Sequence, residues 1–145
     1  MTSTRQLVDA LARYLDSTGI ARYQPTGAYP SGALPAIFDG LFPAAPDAAL
    51  ALTVYDVQYG RGDIGNEDVY IQFRWRTAGK DPRITNDVAD RATELLHDAE
   101  RLLLPGGVRI LLCRRKIRGI TTPDSNGRYE RADSFMFTLN PGGTS

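Results

Sequence analysis

Hydrophobic and polar positions alternate most regularly over Val69-Tyr-Ile-Gln-Phe-Arg-Trp-Arg76, where Val69, Ile71, Phe73 and Trp75 interleave with Tyr70, Gln72, Arg74 and Arg76. Successive side chains on a strand point to opposite faces, so this run predicts a strand with one buried and one wetted face. Ala49 to Val57 sets Leu50, Leu52 and Val54 against Thr53 and Tyr55 and predicts a second strand. A last strand puts Phe135, Phe137 and Leu139 on one face, and Ala36-Ile-Phe38 predicts a short one ahead of Pro43 and Pro46. Val108 to about Arg118 is apolar on both faces in its first half (Val108, Ile110, Leu112; Leu111, Cys113), the pattern of a central strand covered on both sides.

Two stretches carry helical spacing instead. Thr2-Ser3-Thr4 supplies an N-cap, Leu7, Val8, Leu11 and Leu15 form an apolar face, and Gly19 stops the helix where a left-handed residue is wanted. In the second, Asp81 caps, Pro82 takes the first helical position, and Asp87 and Asp90 lie early, where the helix dipole favours anions. Its apolar face reads Val88, Ala92, Leu95, Leu96, Ala99, Leu102 and Leu103, which carries the predicted helix on to Pro105-Gly106-Gly107. The proline- and glycine-rich Gln24 to Pro35 segment reads as an irregular connection. Gly60 to Asn66 reads as a flexible tip, and Asp124-Ser-Asn-Gly127 as a tight turn. The expectation is an α+β fold with two main helices packed on a mainly antiparallel sheet of about four or five strands. Residues 1–140 form a single domain in this reading, and 141–145 a flexible tail.

Composition narrows the chemistry. A chain of 145 residues is long enough to bury a core and short for two domains. Its 17 basic and 17 acidic residues cancel, so global charge favours neither nucleic acid nor membrane. No continuous apolar segment opens the chain, so neither a signal peptide nor a membrane span is expected, and folding in a reducing cytoplasm is. Cys113 is the single cysteine, which excludes an internal disulfide, and His97 the single histidine. A nucleophile or zinc site would need more such groups, or a base beside the thiol. Asp90, Glu94 and Asp98 fall one turn apart, the spacing of an ordinary solvated helix face as much as of a carboxylate cluster. No catalytic, metal or cofactor-binding residue is assigned, and no cofactor is expected. The one charge feature above background is Arg114-Arg-Lys-Ile-Arg118, a basic ribbon suited either to phosphate contact or to acids on a neighbouring strand or subunit.

The succession Gln72-Phe-Arg-Trp-Arg-Thr77, Asp81-Pro-Arg83, a helix ending Leu95-Leu-His97, and Asp124-x-Asn-Gly-Arg-x-Glu-Arg131 before the last strand resembles the tail terminator family of long-tailed bacteriophages. Members of that family are often labelled minor capsid proteins. Leu41-Phe-Pro-x-x-Pro-Asp47, the strand after it and the N-terminal amphipathic helix extend the likeness over most of the chain. The resemblance implies a structural virion protein, made in the host cytoplasm, that assembles as a hexameric ring on the head-proximal end of the tail tube. Such a ring stops tube polymerisation and provides the surface for head-tail joining. Implied partners are other copies of the chain, the tail tube protein, a head-completion or connector protein, and DNA passing through the lumen without sequence specificity. No membrane and no enzymatic activity are implied. A ring built from heterologous contacts could set Arg114, Arg115, Lys116 and Arg118 against Asp90, Glu94 and Asp98 of the next subunit, or turn the basic ribbon to the lumen. Tyr59, Arg61, Asp63 and Asn66 of the glycine-rich tip would contact neighbours or the tube. Another head-tail neck ring and a small nucleic-acid-binding module using residues 114–118 remain as alternatives.

Overall fold

Helix α1 spans Thr4–Ser17 in the computed structural model, which describes residues 2–60 and 65–140. Ser3 caps it through a reciprocal pair: its hydroxyl accepts from the Gln6 amide at 3.1 Å, and the Gln6 side chain accepts from the Ser3 amide at 2.8 Å. Gly19 sits at φ +77°, where a β-carbon would be disfavoured, and turns the chain off the helix as its sequence position predicts. Leu7, Val8, Leu11 and Leu15 are buried.

On the polar side of α1, Asp9 accepts from both Arg13 (2.9 Å) and the Tyr23 hydroxyl (2.8 Å). The Arg13 hydrogen bond holds the Asp9 carboxyl below its ordinary range. Burial, reinforced by the bond to Asp9, pushes the Tyr23 hydroxyl from its usual 10 up to about 12. A raised folded-state value means stability that is complete below the unfolded value and lost as pH rises through the folded one. Tyr23→Phe should therefore flatten the alkaline limb of the stability curve between about pH 10 and 12, read by thermal melts across that range.

The strands are β1 (Ala36–Asp39), β2 (Ala49–Tyr59), β3 (Glu67–Arg76), β4 (Ala99–Leu104), β5 (Val108–Ile117), β6 (Thr122–Pro123) and β7 (Tyr129–Leu139), with α2 at Pro82–Leu96. They form one seven-stranded sheet in the order β1-β2-β3-β7-β5-β4, with β6 attached to β7. β1 runs parallel to β2, and every other pairing is antiparallel. The expected sheet of four or five strands is thus replaced by a larger, curled and mixed one.

The main source of that difference is β4. The run from Ala99 to Leu103 was expected to continue the second helix, but α2 ends at Leu96 and His97 is already extended. Asp98 follows at φ +63°, and its amide donates to the Cys113 carbonyl at 2.7 Å, which starts the pairing with β5. Arg101 follows at φ +51°, and the register with β5 runs on unshifted past it, with Glu100 opposite Leu112 and Leu102 opposite Ile110. Ala99 and Leu102 both pack against the core, a spacing of three that imitates a helix. The expectation that β5 is covered on both sides also fails, since Arg109 and Leu111 are exposed.

One core cluster joins α1 and α2 to the inward residues of the sheet, among them Leu50, Leu52, Ile71, Phe73, Trp75, Phe135 and Phe137. Ala89 and Ala92 are fully buried and let α2 lie close to the strands. Tyr70, Gln72, Met136 and Thr138 point to the opposite, partly open face. Arg76, expected on the wetted side of β3, is buried instead. Its guanidinium donates to the carbonyls of Pro43 (2.8 Å), Pro46 (2.7 Å) and Asp47 (2.8 Å) and lies 4.3 Å from the centre of the Phe42 ring.

Candidate functional site

The basic ribbon lies at the end of β5 and splits into spent and free charges. Arg114 is paired with Asp98 of its own chain at 3.0 Å. The Arg115 amide donates to Nδ1 of His97 (3.0 Å), and its guanidinium donates to the Thr93 hydroxyl (3.2 Å), so this residue ties β5 to the end of α2. Lys116 is exposed and has no acceptor among the described residues, while Arg118 reaches only the Gly119 carbonyl at 3.4 Å. A bulge between Arg115 and Ile117 ends the regular alternation and leaves Ile117 exposed.

The acidic residues separate in the same way. Asp98 lies beyond α2, beside the basic ribbon, with Nε2 of His97 3.5 Å away. Asp90 turns to Arg131 at 3.0 Å. Glu94 alone of the three is exposed and without a partner among the described residues. Tyr59 is exposed at the end of β2, and the Asn66 carbonyl accepts from the Gly60 amide at 2.7 Å, closing the base of the β2–β3 hairpin. Arg61 and Asp63 fall outside the described residues, as does the tail at 141–145.

Sequence reasoning missed a buried polar network beside this region. Arg131 and Asp133 are fully buried and meet through two hydrogen bonds, at 2.9 and 3.0 Å. Arg131 also reaches Asn86 (3.2 Å), and Asp133 accepts from the Gly119 amide (2.9 Å). Thr121 donates to the same Asn86 oxygen. The signal was in the chain: Arg131 and Asp133 continue, two residues apart, the phase of Phe135, Phe137 and Leu139.

Cys113 has no part in any reactive arrangement. Its thiol is fully buried, and burial pushes its pKa up. A thiol reagent should label the native protein far more slowly than the unfolded one, by about the factor that global opening imposes, as timed by mass spectrometry. Among the described residues no three His, Cys, Asp or Glu side chains gather as a metal site.

Comparison with known proteins places the chain in a family. Residues 14–141 match the family described as "Bacteriophage tail terminator protein". The chain belongs to the bacteriophage tail terminator family. A solved chain from a structure titled "Virion of native gene transfer agent (GTA) particle" shares the fold, with a TM-score of 0.52 and 12% identity over 71% of this chain and 77% of that one. No curated protein sequence matches. This tail terminator is a structural protein of the virion tail, a position that implies contacts with other tail and head proteins.

Proposed function

We propose that this tail terminator closes into a ring on the head-proximal end of the tail tube, halts addition of tube subunits and presents the surface on which the head is joined. The observation that carries the reading is the family match, which spans nearly all of the described structure. Three features of the chain support it. β4 ends the strand order with no further strand beyond it among the described residues, whereas the outer edge of β1 is taken by Arg22, so β4 is the edge open to a neighbouring copy. Glu94 and Lys116 are exposed charges of opposite sign without partners among the described residues. Apolar side chains also stand out from the surface, with Leu41 84% and Ile120 82% exposed.

The partners in this reading are further copies of the chain (six in a closed ring), the tail tube protein, the head-completion or connector protein, and DNA in transit through the lumen. The structure weighs against a dedicated nucleic-acid module, because Arg114 already holds Asp98 and Arg115 is bound into α2. Sedimentation over a wide concentration range, followed by negative-stain imaging of the largest species, tests the ring directly. Closed rings with a central channel are expected. Open or irregular aggregates, alone and with tube protein present, would overturn it.

A further inference from the structure

Glu67, the first residue of β3, is 4% exposed and makes no hydrogen bond or ion pair among the described residues, while its carboxylate oxygens keep some access to solvent. It lines a cleft of about 250 Å³ whose other walls are Leu7, Val57, Tyr59, Val69 and Leu139. The N-terminus of α1 borders the same cleft; there the Ser3 and Gln6 amides are taken by the capping pair and the Leu7 amide by the Ser3 carbonyl. A carboxyl group on a mostly apolar wall favours an occupant with an aliphatic stem and a cationic head. Arginine fits that description better than lysine, since its guanidinium is the more weakly hydrated.

The same chain carries such an occupant. β4 is an outermost strand, and on it Leu103 is 56% exposed, directly opposite Arg109 of β5. Arg109 and the adjacent Arg101 are exposed and have no acceptor among the described residues. This edge therefore has an apolar side chain and an arginine without an acceptor to offer a neighbour. Leu139 pairs with Glu67, and Leu112 pairs with Thr138, so the β4–β5 hairpin and the Glu67 cleft lie at the same end of the sheet, with β7 between β3 and β5. One chain thus offers a cationic-apolar knob and an acidic-apolar cleft on different strands, the two halves of a heterologous contact.

We propose that the β4–β5 hairpin of one copy seats Leu103 and Arg109 in the Glu67 cleft of the next, and that this contact links subunits around the ring. The inference rests on the ring reading but is separable from it. The test introduces Tyr59→Cys and Leu103→Cys together and oxidises the protein, Cys113 being buried. A ladder of covalent oligomers on a non-reducing gel is expected from the double variant, with nothing beyond dimer from either single variant. Adding Glu67→Arg to the double variant should cut the ladder at least about tenfold, and Arg109→Glu in the same molecule should restore it. Glu67→Gln, which keeps the shape of the side chain, should fold and weaken the ladder less. No ladder from the double variant, or one indifferent to Glu67→Arg, overturns the proposal. Closed rings in the wild-type images without a ladder would mean the ring stands and this contact is wrong. A ladder from open chains that never close would mean the reverse.

Discussion

Replacing Arg131 with alanine will destabilise the fold by about 3–5 kcal/mol, the usual cost of stripping one partner from a buried ion pair. Asp133 would be left fully buried with only the Gly119 amide on its carboxylate, and Asn86 would lose a donor. For a chain of this length that corresponds to a drop in melting temperature of roughly 10 °C. The double replacement Arg131→Met with Asp133→Leu removes both charges and should recover most of the loss, because apolar residues of similar volume often substitute for a buried pair at little cost. Urea melts of the three proteins check this. An Arg131→Ala protein within about 1 kcal/mol of wild type would mean the pair is not buried in solution.

The second large effect belongs to Arg76. Its guanidinium gathers the carbonyls of Pro43, Pro46 and Asp47, and Arg128 adds hydrogen bonds to the Ala44 carbonyl (2.6 Å) and the Asp47 side chain (3.0 Å). Burial holds the Arg76 pKa below its ordinary value, and among the described residues no carboxylate pairs with it; the backbone carbonyls stabilise the cation instead. Arg76→Ala would leave those carbonyls without a charged donor, at about 1–3 kcal/mol for each that water cannot reach. A total near 3 kcal/mol is expected, with the loss concentrated in the 41–48 loop. Arg76→Lys should rescue little, because a single ammonium cannot span the acceptors as a planar fork does. Hydrogen exchange over residues 41–48 reads the result, and unchanged protection in Arg76→Ala would contradict it.

These two arginines also mark how far the sequence could be read. Helix α1, the start of α2, and strands β2, β3 and β7 follow from periodicity and capping, because each buries one regular face against the same core. β4 did not follow, since the left-handed residues Asp98 and Arg101 cannot be recognised from residue type alone and together disguise a strand as a helix. Arg76 occupies a position that alternation assigns to solvent, and only the return of the 41–48 loop encloses it. Asp98 was placed with Asp90 and Glu94 on one helix face, whereas the chain turns before it and brings it to Arg114. The family was legible from the order of motifs. The free charges were not, because which arginines are already spent depends on contacts far apart in sequence.

The measurement that most directly tests the central claim is the position of this protein on assembled tails. An epitope tag on the chain, decorated with gold-labelled antibody and imaged on purified virions and on tails made without heads, should appear only at the head-proximal end of the tube. Tails assembled without the protein should then lose their uniform length. Label spread along the tube or at the distal tip, with tube length unchanged when the protein is missing, would contradict the account.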